Sequence, residues 1–150
     1  MNMISVIDPT DPEVAQRIVE IQRAAYAVEA SLIGFNGIPQ LGESASQVIA
    51  STHLHWRGAY CGDQLVGLIA WSADGATIEI DRLAIDPRFA RRGYGRQLVQ
   101  AIPDAHTISV STGTQNMPAR TLYVNEGFVA VGDTEIAEGI FTTQFRRSNG

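Results

Sequence analysis

The spacing of apolar residues along the chain predicts alternating helices and strands. In the first thirty residues, apolar side chains recur every three or four positions, which predicts a helix from about residue 12 to residue 30. The positions are Val14, Ile18, Ile21, Ala25 and Val28. A glycine-rich stretch over residues 34–42 is expected to be a loop, and a short helix is expected near residues 44–51.

The rest of the chain shows the shorter apolar runs that are typical of strands. Strands are expected at about residues 3–7, 54–61, 65–71, 76–85, 107–111, 128–134 and 140–146. Further helices are expected over residues 97–102 and after Asn116. Strands dominate the middle of the chain and no linker divides it, which predicts one α+β domain over residues 1–150 with a sheet of mixed direction.

One strand departs from simple alternation. Its apolar residues fall at Ile78 and Ile80, and then at Leu83 and Ile85, so the pattern slips by one position near Arg82. A slip of this kind is typical of a β-bulge, which leaves backbone groups unpaired. The alternative is a central strand with both faces buried and no bulge.

An arginine- and glycine-rich turn follows that strand. Residues 91–96 read Arg-Arg-Gly-Tyr-Gly-Arg and lead into a helical run. Glycines at the start of a helix allow several backbone N–H groups to point outward together, which favours a bound phosphate, and arginines add charge-assisted contacts. Five of the eleven arginines lie between residues 82 and 96, although the formal net charge is −5. The alternative is a tight turn with solvated arginines.

Two other phosphate-binding motifs fit this turn poorly. A dinucleotide-binding loop needs a third glycine where Leu98 stands. A Walker loop needs a lysine, and the sequence contains none. An unrelated nucleotide-phosphate binder is nevertheless a competing hypothesis.

A second motif begins at Asn116, a good N-cap, with Pro118 in the first turn and Gly127 after the end of the helix. Tyr123 is seven residues from Asn116 and therefore lies on nearly the same side. Ala119 lies between them and is small enough for a ligand to approach. Alone, Tyr123 would be interpreted as a half-buried packing residue.

Together the two motifs resemble those of the GNAT superfamily of N-acetyltransferases. The family's acyl-CoA loop is Gln/Arg-x-x-Gly-x-Gly/Ala, and residues 90–95 follow it except for Ala90 at the first position. The family's second motif is Asn-x-x-Ala-x-x-Leu-Tyr-x-x-x-Gly-Phe. It is matched by Asn116, Ala119, Leu122, Tyr123, Gly127 and Phe128. The resemblance is specific over residues 76–130 and weak over residues 25–60.

The resemblance implies a mostly antiparallel sheet of six to seven strands with about four helices, and acetyl-CoA as co-substrate without a metal. It implies that backbone groups of the bulged strand and both motifs contact the cofactor. These expected contacts are Leu83, Ala84, Ile85, Arg91, Arg92, Gly93, Tyr94, Gly95, Arg96, Asn116, Ala119 and Tyr123.

The same resemblance gives expected catalytic roles. A backbone N–H at Leu83 or its neighbour would stabilise the oxyanion, and Tyr123 would donate a proton to sulfur. Glu79 is the candidate base, with Asp81, His53, Glu29 and ordered water as alternatives. The predicted activity is direct transfer of acetyl to the amine of a small molecule or peptide; the alternative is a non-catalytic acyl-CoA-binding regulatory module.

Composition narrows the partners and the compartment. A sequence pI near 5.1 argues against nucleic acid and loosely favours cationic amines. No apolar run is long enough to span a membrane, and the single Cys61 excludes an internal disulfide, so a cytoplasmic protein is expected. The three histidines form no metal-binding pattern. A homodimer is left open.

Overall fold

A computed structural model of the chain describes residues 2–148, so residues 1, 149 and 150 of the expected domain lie outside the described part. The strands are β1 (Asn2–Val6), β2 (His55–Cys61), β3 (Gln64–Asp74), β4 (Thr77–Ile85), β5 (Thr107–Gly113), β6 (Val129–Ala137) and β7 (Ile140–Ser148). The helices are α1 (Pro12–Ile33), α2 (Ala45–Ala50), α3 (Tyr94–Gln100) and α4 (Met117–Asn125). Short 3-10 turns occupy Pro39–Leu41 and Pro87–Phe89.

Within residues 2–148 the strands form one sheet in the order β1-β2-β3-β4-β5-β7-β6. β4 and β5 pair in parallel, and the other neighbouring strands pair antiparallel. The predicted α+β class, the mixed and mostly antiparallel sheet and the order of elements are therefore confirmed. None of the helices in this part of the chain is both long and apolar enough to cross a membrane.

Several predicted boundaries were wrong. α1 continues past residue 30 to Ile33 and ends at Gly34, which adopts a left-handed φ of 68° that suits glycine. α3 begins at Tyr94 rather than at residue 97 because Gly93, with φ 86°, turns the chain directly into the helix. The expected loop over residues 34–42 contains the 3-10 turn at Pro39–Leu41.

The sheet separates two apolar clusters. One contains α1 and α2 residues such as Ile18, Ile21 and Val48, packed against one face of the sheet. The other contains Tyr94 and Leu98 of α3 with sheet residues. Central strand β3 contributes to both clusters because successive side chains point to opposite faces.

The β-bulge predicted in β4 is confirmed. Ala70 of β3 pairs with Arg82 and the next residue, Trp71, pairs with Ile80, so Asp81 is the extra residue. Ile78 and Ile80 belong to the α3-side cluster, and Leu83 and Ile85 pack against the same cluster beyond the bulge. The slip in the sequence pattern thus keeps four apolar side chains on one face while the strand gains a residue.

Beyond the bulge β4 and β5 separate. Their parallel pairing covers only Thr77 to Glu79 opposite Thr107 to Ser109. β5 then continues to Gly113 in pairing with β7. Because a bulge bends its strand and increases the twist, β4 diverges from β5 and a wedge-shaped gap opens between them.

Asp86 holds the end of β4 in place. Its Oδ2 accepts hydrogen bonds from Arg17 Nη2 (2.9 Å) and Arg88 Nη2 (2.8 Å), and its backbone N–H donates to the carbonyl of Val66 (2.8 Å). Hydrogen bonds from Arg88 hold the pKa of the buried carboxyl well below its ordinary value. The carboxylate thus ties α1 and the turn after β4 to the sheet.

We predict that Asp86→Asn lowers the free energy of unfolding at neutral pH by about 1–3 kcal/mol, since charge-assisted hydrogen bonds are lost. Because folding lowers the pKa of Asp86, its contribution is complete above the unfolded-state pKa of about 4 and is lost as the pH falls further. Urea unfolding at neutral and acidic pH measures the difference between the two proteins.

The matched control is Asp74→Asn, because Asp74 is exposed at the end of β3. That change is expected to leave stability nearly unaltered. A loss for Asp86→Asn that stays constant as the pH falls through the acidic range would contradict the role of the ionised carboxylate.

Candidate active site

Two cavities open where β4 leaves β5. The loop cavity, of about 540 Å³, lies between α1, the end of β4, the turn at residues 87–96 and the start of α4. The wedge cavity, of about 490 Å³, lies between α1, the bulge of β4, β5 and the segment at residues 35–40. Both volumes are in the range of small-molecule sites.

The two cavities share a wall. Five residues line both of them: Tyr26, Glu29, Leu83, Asn116 and Ala119. They come from α1, from β4 just after the bulge, and from the start of α4. Groups bound in the two cavities would therefore meet at this wall, which is the arrangement that a transfer between two substrates needs.

The turn before α3 presents backbone N–H groups to the loop cavity. Arg91 and Gly93 have left-handed φ values of 63° and 86°, and no side chain caps α3. Gln97 donates its N–H to the carbonyl of Gly93 (3.1 Å), so the first-turn N–H groups before Gln97 have no helical acceptor. A helix start of this form favours an anion.

The side chains of the turn divide between the cavity and the core. Arg91, Gly93, Gly95 and Arg96 line the loop cavity. Tyr94 also lines it, but its side chain is buried in the α3-side cluster, so its backbone is the part available to a ligand. The Arg92 guanidinium lies 5.0 Å from the Phe89 ring centre.

The apparent cluster of five arginines is smaller in the structure. Arg88 pairs with Asp86. Arg82 is buried and its guanidinium contacts Asp81, Glu43 and Gln22, on the side of the sheet that α1 covers. Closeness in sequence overestimated the number of arginines available to the turn. The bulge and the strand face direct the Arg82 side chain toward α1 instead.

The edge of β4 beyond the bulge is the third wall of the loop cavity. Leu83, Ala84 and Ile85 all line it. They pair with β3 on one side, and among residues 2–148 no strand pairs with them on the other, because β5 has diverged. Unpaired strand-edge groups can bind an extended chain of amides.

Helix α4 confirms the predicted caps. Asn116 Oδ1 accepts from the backbone N–H of Ala119 (3.3 Å). At the other end Gly127 has φ 90°, and the N–H of Phe128 donates to the carbonyl of Tyr123 (2.9 Å). These bonds fix both ends of the helix and hence the direction of its side chains.

Tyr123 is both packed and exposed to the wedge cavity. Its ring lies 5.6 Å from that of Phe128 and 5.9 Å from that of Phe145, and the residue is 4% exposed. Burial first, and then the charge of Glu29, raise the pKa of its phenol, so it keeps its proton at neutral pH. Within the described residues its hydroxyl has no hydrogen-bond partner.

Two functional candidates on α1 complete this geometry. The Glu29 carboxylate reaches across the wedge and accepts from Thr112 Oγ1 (3.1 Å) and from the N–H of Gly113 (3.4 Å). Tyr26, one turn earlier on the same face, lies close to the Leu83 backbone, and burial followed by the charge of Glu29 raises its pKa.

The sequence match now decides the family. A family model described as an acetyltransferase (GNAT) domain matches residues 24–148. The chain belongs to the GNAT acetyltransferase family.

Two relatives and two solved structures illustrate the similarity of this GNAT domain to known proteins. It is 33% identical to the UPF0157 protein YqkA of Bacillus subtilis over 147 residues, which cover 95% of this chain and 43% of that protein. It is 34% identical over 91 residues to the N-alpha-acetyltransferase RimI of Mycobacterium tuberculosis, covering 56% of this chain and 58% of the relative. The chain thus spans less than two thirds of either relative.

The solved structures share the fold of the GNAT domain. One is the PaiA N-acetyltransferase from Thermoplasma acidophilum in complex with coenzyme A, with a TM-score of 0.77, 15% identity and 99% of each chain covered. Another is the ribosomal-protein-S18-alanine N-acetyltransferase from Escherichia coli, with a TM-score of 0.77, 17% identity, and 99% of this chain and 94% of that chain covered.

The candidate bases of the GNAT domain differ in their placement. Glu79 is exposed at the last parallel pair between β4 and β5 and lines neither cavity. His53 lines neither cavity either, whereas Asp81 lines the wedge cavity and pairs with Arg82 Nε (2.7 Å). Glu29 lines both cavities.

Sequence reasoning did not find Tyr26 and gave Glu29 only as an alternative. A signal was present in the pattern of α1. Its buried face carries Gln22, Tyr26 and Glu29 at helical spacing among apolar residues, and polar side chains on the inner face of a helix indicate a site. No group of three His, Cys, Asp or Glu residues within 2–148 could hold a metal ion.

Proposed function

We propose that this domain transfers the acetyl group of acetyl-CoA to an amine, by direct attack while both substrates are bound. The observation that carries the proposal is the wall shared by the loop and wedge cavities. Acetyl-CoA would occupy the loop cavity and the amine the wedge cavity, so that the thioester and the attacking nitrogen meet beside Leu83, Glu29 and Tyr26.

The loop cavity suits the pyrophosphate and the pantetheine arm of acetyl-CoA. The uncapped start of α3 with Arg91 and Arg96 suits the pyrophosphate, and the free edge of β4 suits the amides of the pantetheine arm. The α1 wall adds Val28 and Leu32, which are 48% and 44% exposed and would be covered by the arm. The coenzyme A bound to the Thermoplasma relative supports this assignment.

Acetyl transfer requires that the amine lose a proton, that the carbonyl oxygen be stabilised as negative charge develops, and that the departing sulfur be protonated. In this proposal the backbone N–H of Leu83, which lies against the Tyr26 phenol, would donate to the oxygen, and the Tyr26 phenol would be a second donor. Glu29 is positioned to accept the proton of the amine. Tyr123 would donate its hydroxyl hydrogen toward the sulfur.

The activity is tested by measuring thiol release from acetyl-CoA over a broad library of amines. Turnover with at least one amine is expected. Tight binding of acetyl-CoA without turnover would instead favour a regulatory acyl-CoA-binding module. Displacement of the ligand by ATP as readily as by coenzyme A would favour an unrelated nucleotide-phosphate binder.

We predict that Gly95→Val weakens acetyl-CoA binding by at least about tenfold, because bulk at this backbone position prevents close approach of the pyrophosphate. A Cβ at Gly95 would also lie 3.2 Å from Leu122 Cδ2, so the end of the Leu122 side chain would have to move by a few tenths of an ångström. Isothermal titration calorimetry measures the affinity. Gly132→Val is the control, since a Cβ there meets nothing within 4 Å. Unchanged affinity in folded Gly95→Val would remove the assignment.

We predict that Tyr123→Phe lowers kcat by roughly tenfold to a thousandfold, the range for a lost proton donor. The ring contacts with Phe128 and Phe145 are kept, so the melting temperature and the affinity for acetyl-CoA are expected to stay nearly constant. Steady-state kinetics and thermal unfolding test both parts. If stability or affinity fell in step with kcat, Tyr123 would be a packing residue.

We predict that Glu29→Gln lowers kcat/KM by about tenfold to a thousandfold where the amine is protonated, and by less as the pH rises above the amine pKa. The reason is that an already neutral amine no longer needs a base. Glu79→Gln is the matched variant, because Glu79 remains the base expected from family resemblance. A pH-dependent deficit confined to Glu79→Gln would assign the role to Glu79, and a constant deficit in both would indicate water.

A further inference from the structure

The wedge cavity has a charge arrangement that indicates the chemical class of the acceptor. Among its described lining residues Arg82 is the only arginine or lysine. Its charge is already offset by two carboxylates, with Nε on Asp81 (2.7 Å) and Nη1 on the Glu43 carboxylate and on Gln22 Oε1 (2.9 Å). Arg82 is also 7% exposed and its guanidinium lies over the Trp56 ring at 5.2 Å, so these contacts hold it beside Asp81 and Glu43.

Among the described residues the charge of Glu29, unlike that of Arg82, is not offset by a charged partner. Its carboxylate accepts from the Thr112 hydroxyl and the Gly113 N–H, which are both neutral donors. No cationic side chain pairs with it in the described part of the chain. Its negative charge is therefore available to a cation that enters the wedge cavity.

The remaining walls include a set of apolar side chains beside neutral polar ones. Ile33 at the end of α1, Phe35 and Ile38 in the following segment, Val110 on β5 and Ile136 on β6 all face the cavity. These side chains come from four different parts of the fold, so they surround a bound molecule rather than form one flat surface. A cavity with one uncompensated carboxylate and such walls suits a cation with an apolar body.

We propose that the acceptor is a small primary amine with an apolar body and without a carboxylate or phosphate group. The inference rests on the proposed function, because it concerns the amine side of the same site. A free α-amino acid is rejected, since its carboxylate would be held beside Glu29 while the charge of the lining arginine, Arg82, is already offset by Asp81 and Glu43. Like charges in a partly buried site are strongly unfavourable.

The proposal is tested with pairs of compounds that differ by one carboxylate. The pairs are phenethylamine against phenylalanine, and 3-methylbutylamine against leucine. We expect kcat/KM for each simple amine to exceed that for its amino acid by about 100-fold or more, the size of an uncompensated like-charge contact. Phenylalaninamide lacks the negative charge. Its kcat/KM is expected to exceed that of phenylalanine by at least about tenfold, which corresponds to about 1.4 kcal/mol.

A variant is expected to weaken the selectivity. Ser111 lines the wedge cavity and is exposed, so Ser111→Arg places a cation there without burying it in the core. This change is expected to reduce the preference for phenethylamine over phenylalanine by about tenfold, through better use of phenylalanine. Ser111→Gln, which adds length without charge, is expected to keep the ratio. An equal effect of both variants would contradict the charge argument.

A binding measurement separates this inference from the proposed function. It compares how tightly phenethylamine and phenylalanine bind to the complex of this protein with coenzyme A. If no amine in the library is acetylated, transfer is refuted, yet calorimetry still compares phenethylamine with phenylalanine. Tighter binding of phenethylamine by about tenfold supports the inference. Equal binding, no binding of either, or preference for the amino acid overturns it. Turnover of a hexapeptide beginning with phenylalanine above that of phenethylamine overturns the small-molecule class while leaving acetyl transfer intact.

Discussion

The extra residue at Asp81 determines most of the geometry of this domain. By inserting one residue into β4, it bends the strand away from β5 after only three paired positions. The separation creates both cavities and leaves the edge of β4 without a strand partner on that side. It also turns Arg82 toward α1 while Leu83 and Ile85 stay against the opposite cluster. A regular strand would close the gap and remove the shared wall.

Helix α1 is the second element on which the site depends. Arg17 near its start is held by Asp86, and Gln22 in its middle is held by Arg82, so two buried polar contacts fix the helix against the sheet. Its last turns then place Tyr26 and Glu29 between the two cavities. Polar contacts of this kind, one ionic and one to a neutral amide, fix one arrangement of the helix even where they add little net stability.

Local patterns predicted much of the fold and many of the residues that line the two cavities. The bulge could be read from Ile78 to Ile85, and the α4 caps from Asn116 and Gly127, because each depends on residues close in sequence. The position of Glu29 depends instead on α1 crossing to Thr112, which is 83 residues away in the chain. No pattern within one segment shows that contact. The expected base was therefore Glu79, which has the same side chain and lies on β4, the strand that contributes Leu83 to the shared wall.

The proximity of Glu29 to Tyr123 links the two proton transfers of the proposed mechanism. While Glu29 is ionised, its charge adds to burial in raising the pKa of the Tyr123 phenol, which makes that phenol a poor acid. Once Glu29 accepts the proton of the amine, that charge is neutralised and its part of the pKa increase disappears. In the proposed mechanism Tyr123 would therefore become a stronger acid after the amine has lost its proton, which is when the departing sulfur would need one. One carboxylate in the shared wall can thus serve as base on one side and set the order of events on the other.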